Sequence, residues 1–214
     1  MSHLVALVTA AVVTVIGQWP ASHRELRPVD EAEQCAGFSA FREELTRIIE
    51  RRDSRSLLRV VDRDVHLTFG DSRGHARFRQ MWLSGQPDYD LWSELRQVLE
   101  LGGRCERGEA FTAPYVFTDW PEELEPHEFR AALGPAVPLR AEPHEGAEVV
   151  SSLRFSIVRL TDLNSFGKTW LPVQAPDGTA GFVSVRSVRS PIDMRAVFIR
   201  KNGSWVMTTW IGGD

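Results

Sequence analysis

The chain has 214 residues, enough for one large domain or two small ones. At 43% hydrophobic and 25% charged residues it has the composition of a globular protein, which excludes the disordered and fibrous classes. A formal charge of −4, with lysine only at Lys168 and Lys201 and the arginines scattered, excludes the basic stripe that nucleic-acid binding requires.

Residues 1–22 read as a signal peptide or N-terminal apolar segment. Leu4 to Ile16 is an uncharged apolar run ended by Gly17 and Pro20, the length of a secretory h-region and too short to span a bilayer comfortably. This predicts an exported protein, periplasmic or extracellular, with the segment either cleaved near Gly17 or Ala21 or retained as an anchor. No later run is long enough to cross a membrane. Cys35 and Cys105 are then an even pair in an oxidising compartment, which permits a disulfide. Closing a loop of about seventy residues would stabilise the fold by roughly 4 kcal/mol on the chain-entropy account.

Phe38, Phe41, Leu45, Ile48 and Ile49 recur at helical spacing with charges between them, which predicts an amphipathic helix. Asp53 or Ser54 caps a second, shorter helix carrying Leu57, Leu58 and Val61. Val65, Leu67 and Phe69 alternate with His66 and Thr68 as in a half-buried strand. The helical period returns from Phe78 to Leu101, interrupted at Gly85 and Pro87 and stopped by Gly102-Gly103. Phe111 to Phe117 reads as strand or extended chain. Asp119 to Pro138, with four prolines among acidic residues, reads as linker or surface loop and predicts a domain boundary. Asn202-Gly203, between two alternating apolar runs, predicts a β-hairpin.

The stretch from Val137 to Val188 carries a compact set of markers: VPLRAEP at its start, Trp170 with Val173 in its middle, and DGTAGFV from Asp177 to Val183. These resemble the bacterial SH3-like (SH3b) domain, found mainly in exported proteins. The resemblance implies a small β-barrel over residues 135–190 with a shallow groove for a peptide, peptidoglycan or envelope-protein ligand. Trp170, Phe182, Asn164 and Asp162 are the candidate groove residues. The competing assignment puts both rings in the barrel's small interior and leaves Asn164 and Asp162 as plain loop residues.

The opening helix–helix–strand and the closing hairpin FIRKNGSWVMTTWIGGD together resemble the cystatin-like α+β fold of nuclear-transport-factor-2-like proteins. This implies an α+β protein in which residues 30–120 and 192–214 form one discontinuous domain, with the barrel inserted before the last hairpin. A tandem arrangement, with the hairpin packed on the barrel, is the alternative.

Two enzymatic readings stand beside the binding one. A cone-shaped pocket of the first domain could be lined by Trp82, Trp92, Trp120 and Trp210, with His66, His75, Asp64 and Asp71 at its mouth, serving small-molecule binding or weak hydrolysis. The tryptophans at helical and strand spacing read equally as core, and the histidines as surface and turn residues. Gln34-Cys35-Ala36-Gly37-Phe38 is similar to the nucleophile motif of cell-wall cysteine peptidases, with Gly74-His75 supplying the base that a thiol nucleophile needs. No metal or cofactor motif is present, so no cofactor is expected. The binding reading is the one favoured.

Overall fold

The computed structural model describes residues 25–84, 90–165 and 167–213, so the expected signal segment lies outside the described residues. The chain is α+β, with two antiparallel-rich sheets and helices packed on the first of them.

The first sheet begins with helices. Helix α1 (Phe38–Glu50) buries Phe38, Leu45, Ile48 and Ile49 on one face, as its periodicity predicts. Helix α2 (Ser54–Val60) is capped by Asp53, whose carboxylate accepts the Ser56 N–H at 3.0 Å. Strand β1 (Val61–His66) follows directly. Helix α3 (Gly74–Phe78) runs on into a wide turn at Arg79–Leu83. Helix α4 (Leu91–Glu100), capped by Asp90, buries Leu91, Leu95, Val98 and Leu99. Strands β2 (Arg104–Glu106) and β3 (Ala110–Ala113) form a hairpin, and α5 (Tyr115–Thr118) turns the chain away from it.

The second sheet is built from β4 (Phe129–Ala132), β5 (Val137–Arg140), β6 (Val149–Leu153), β7 (Ile157–Leu160), β8 (Trp170–Gln174), β9 (Ala180–Ser184) and β10 (Val188–Arg189). Strands β11 (Arg195–Lys201) and β12 (Ser204–Ile211) then return to the first sheet. Asn202 (φ 51°) and Gly203 (φ 83°) are both left-handed, the geometry a two-residue hairpin turn demands.

The first sheet has the order β1-β12-β11-β3-β2, so the final hairpin lies in its centre and does not pack on the second sheet as a tandem appendage. Strand β11 pairs antiparallel with β3, and β12 pairs parallel with β1. Phe198, Trp205, Met207 and Trp210 from the hairpin enter the same core as the helix residues. Phe38 stacks on Phe111 with ring centroids 4.1 Å apart and meets Trp205 edge-on at 5.0 Å.

The second sheet has the order β10-β4-β7-β8-β9-β5-β6. This corrects the expectation of a closed barrel over 135–190 in two respects. The hydrogen-bonded order is open, ending at β10 and β6, and it recruits β4 from the stretch expected to be linker. The sheet is nevertheless bent over one core, because Ala132, Val137, Leu153, Val173, Val183 and Val188, drawn from strands across its whole width, form a single cluster. At Gly181 a Cβ would come within 2.6 Å of the Arg140 carbonyl, so β9 approaches β5 only because this residue has no side chain.

The proline-rich stretch is structural for a clear reason. Leu124, Phe129 and Ala131 bury themselves with Leu26, Tyr115, Val116 and Ile157 in a third cluster, and Trp120 donates its indole N–H to the Leu124 carbonyl at 2.9 Å. Strand β4 is therefore covered on both faces. On β10, the edge strand beside β4, Arg189 is only 3% exposed and donates to Gln97 (2.6 Å) and Glu94 (2.7 Å) of α4 and to the Met194 carbonyl (2.6 Å).

Cys35 and Cys105 are disulfide-bonded, with Cα atoms 5.7 Å apart. Beside the bond Glu31 accepts the Cys105 N–H (3.0 Å) and a guanidinium N–H of Arg104 (2.6 Å), while Arg104 holds Asp119 in a two-point clasp (2.9 and 2.6 Å).

Replacing both cysteines by serine should lower stability by about 2–4 kcal/mol, read as a lower urea midpoint with a higher m, because the unfolded chain loses its cross-link. An unchanged midpoint would mean that packing alone holds the two segments together. The Cys105 N–H and then Arg104 keep the Glu31 carboxyl below its ordinary 4.5, so its contribution is complete above pH 4.5 and disappears as pH falls through the lowered value. Glu31→Gln should flatten the acid limb of a Tm-against-pH curve, and an identical acid limb in the variant would remove Glu31 from the account.

Candidate ligand-binding site

The second sheet presents two features of functional interest, and the sequence candidates divide between them. Along β8, Leu171 and Val173 face the core, which turns Trp170, Pro172 and Gln174 to the opposite face. Across β9, Ser184 is the register partner of Trp170 and Phe182 is that of Pro172. Trp170 and Phe182 therefore share the outer face as diagonal neighbours, roughly 7–8 Å apart at the backbone. Both are half-buried and neither belongs to the core cluster, so the interior-filling assignment does not hold for these rings.

Asp162 and Asn164 lie in the loop between β7 and β8, where Asp162 organises the chain. Its carboxylate accepts the Asn164 N–H (2.9 Å) and the Lys168 ammonium (3.0 Å), and its carbonyl accepts the Ser165 hydroxyl (2.6 Å). The Lys168 hydrogen bond is the main reason that the Asp162 carboxyl is held below its ordinary 3.8.

This loop forms one wall of a cavity of about 200 Å³. The loop contributes Leu163, Ser165, Gly167 and Lys168. The opposite wall comes from Val185, Val188, Ser190 and Asp193, and Leu160, Leu171 and Arg130 complete the lining. None of Trp170, Phe182, Asp162 and Asn164 lines it, although Leu171 and Val185 adjoin the Trp170–Ser184 rung along their strands. Leu163 (50% exposed) and Val185 (37%) leave apolar surface in water beside the cavity.

Arg130 is the residue that sequence reasoning missed. It projects to the same side of β4 as Ala132 and its register partner Val158, both core residues. An arginine thus occupies a core-facing position at the end of the sheet. Its Nη1 donates to the carbonyls of Phe129 (2.6 Å), Pro126 (3.2 Å) and His127 (3.4 Å). Burial pulls its pKa down, opposed by the field of Asp193. Asp193 is itself engaged, accepting the Ser190 N–H at 2.8 Å. Phe129 to Ala132 falls in the stretch expected to be linker or surface loop, and only the covering of both faces of β4 places Arg130 on a core-facing side.

The residues of the enzymatic readings do not form one constellation: the thiol is bonded and the tryptophans pack in or against the cores, while His66 and Asp71 share a surface depression. Cys35 is 1% exposed and bonded to Cys105, so the thiol that a peptidase would use is consumed. The His75 imidazole Nε2 lies 2.9 Å from the Val61 carbonyl. Asp64 and Asp71 both flank Arg73, at 3.6 and 3.8 Å. Trp210 belongs to the first core and Trp82 and Trp92 pack against it, while Trp120 packs against the third cluster. His66 and Asp71 instead line a surface depression together with Phe69, Arg73 and Arg195. Among the described residues no group of three or more His, Cys, Asp or Glu side chains is gathered to hold a metal, and no helix is long and apolar enough to cross a membrane. Compared with protein families, curated proteins and solved structures, the chain matches none.

The Asp162 carboxylate orders its loop above pH 3.8, and that order is lost as pH falls through the lowered value. Asp162→Asn should accelerate hydrogen exchange at the Asn164 and Ser165 amides at neutral pH while leaving strands β7 and β8 protected. Unchanged exchange at Asn164 would show that the loop is held by something else.

Proposed function

We propose that this is an exported, non-enzymatic envelope protein that holds a peptide, cell-wall or protein ligand on an SH3b-like second unit, with a cystatin-like first unit as its support. The single observation that carries the reading is the cavity between the β7–β8 loop and the segment after β9. It joins apolar surface left in water to a half-buried guanidinium, the combination of apolar lining and few polar groups expected of a binding site.

Further support comes from where the family-like residues fall. VPLR lies on β5, Trp170 to Val173 on β8, the Asp177-Gly178 turn between β8 and β9, and Gly181 to Val183 on β9. These strands share one core. In the first unit, helix α1 packs against a sheet completed by the last hairpin, which is the arrangement the cystatin-like resemblance implies. Export is favoured by the apolar run at Leu4 to Ile16 and by the disulfide, since such bonds persist in oxidising compartments. The pair Trp170 and Phe182 offers a stacking surface on the outer face of β8 and β9, the face opposite to Leu171 of the cavity.

The test is retention of the purified protein on purified peptidoglycan sacculi. The wild-type chain should be retained, and Trp170→Ala, a change at a half-exposed site, should reduce retention several-fold without lowering Tm by more than a few degrees. Retention no greater than that of Trp170→Ala would eliminate the cell-wall ligand.

A further inference from the structure

We propose that the cavity beside β8 is a carboxylate-binding pocket, in which Arg130 anchors the terminal carboxylate of a short aliphatic ligand whose side chain rests on Leu163 and Val185. The inference rests on the binding reading above and specifies the ligand's chemistry.

Charge is the first argument. Of the charged groups lining the cavity, Lys168 is paired with Asp162 at 3.0 Å, and Asp193, which keeps its charge, accepts the Ser190 N–H at 2.8 Å. Arg130 has no such partner: its hydrogen bonds among the described residues run from one nitrogen, Nη1, to neutral carbonyls. A guanidinium presents five N–H donors in a planar fork and stays charged when desolvated, so Nε and Nη2 retain donors that suit a carboxylate. Asp193 offsets this charge only through space and not by a hydrogen bond, so an anion that accepts from Nε and Nη2 adds charge-assisted bonds that Arg130 otherwise lacks. Asp193 sets the geometry of approach, because an anion must reach Arg130 from the side away from it.

Size and lining are the second argument. About 200 Å³ lies below the roughly 300 Å³ at which pockets begin to enclose whole drug-sized ligands. The space therefore suits the end of a chain, one small residue with its carboxylate, and not a sugar chain or a folded partner. The hydroxyls of Ser165 and Ser190 already donate to the carbonyls of Asp162 (2.6 Å) and Pro126 (3.4 Å). The remaining lining at Leu160, Leu171 and Val188 is aliphatic, which selects a branched or small aliphatic side chain over a polar one.

The shared chemistry, a carboxylate on a short aliphatic chain, belongs both to a peptide C-terminus and to a simple aliphatic acid. The experiment is an amide-resolved NMR titration of the full chain with N-acetyl-Ala-Val, its C-terminal amide, and isovalerate. The acid should shift the amides of Ser165, Lys168 and Ser190, and the amide should bind at least tenfold more weakly, the loss expected when a charge-assisted hydrogen bond is removed. Tighter binding of the acetyl dipeptide than of isovalerate assigns the pocket to peptide ends, while equal binding assigns it to aliphatic acids. Arg130→Gln should erase the difference between acid and amide. Because that variant alters a core-facing position, Val185→Glu serves as the surface control, and its added negative charge should weaken the acid more than the amide. Equal affinity for acid and amide in the wild-type chain, or shifts confined to other parts of the protein, would overturn the assignment. Retention on sacculi together with equal acid and amide binding would remove the carboxylate inference alone. Loss of retention with intact acid selectivity would remove only the cell-wall reading.

Discussion

The pairing of β11 and β12 into the middle of the first sheet is the constraint on which the rest of the molecule depends. Without those strands β1 has no neighbour, the β2–β3 hairpin stands alone, and helices α1 and α4 have no complete surface to cover. The aromatic centre of that core makes the point in energetic terms. Phe38 from α1 and Phe111 from β3 meet Phe198 and Trp205, which arrive only at the end of the chain. Burying rings of this size contributes several kcal/mol in all, at roughly 25 cal/mol for each Å² removed from water.

The same pairing explains how a second sheet can interrupt the first. Ala113, the last residue of β3, is the register partner of Ala196 at the start of β11, so the chain leaves and re-enters the first sheet at adjacent points. Everything between can fold outward without stretching the strands apart. The re-entry is held by Arg189, whose buried guanidinium ties the edge of the second sheet to Glu94 and Gln97 on α4. The departure is held by Asp119, clasped by Arg104 beside the disulfide.

These ties bear directly on the cavity. One wall is the segment from Val185 to Asp193, which ends in the contacts of Arg189 with α4, and its strand β10 pairs with β4, the strand that carries Arg130. The facing wall is a loop that Asp162 and Lys168 fasten from within. A pocket with both walls braced in this way requires little ordering when a ligand arrives, which favours binding.

Much of this was legible in the residues. The periodicity of Phe38 to Ile49, the cap at Asp53, the Asn202-Gly203 hairpin and the even cysteine pair each depend on local chemistry or on a count, and such signals do not need a neighbour to be read. Asp162, Asn164, Trp170 and Phe182 are candidates only through the SH3b resemblance; the first two fall in the loop that walls the cavity and the two rings on the outer face of β8 and β9, and none of the four lines the cavity. What tertiary structure alone decided was which faces were covered. Phe129-Arg130-Ala131 has the alternation of a half-exposed strand, set within a proline-rich stretch that reads as linker, and its sequence carries no sign that a core lies on each side. The side on which Arg130 ends depends on β7, β10 and the buried cluster of Tyr115 and Leu124, all distant in the chain. Burial is a property of what packs against a residue, so a desolvated cation next to an apolar cavity comes into being only when those separate segments meet.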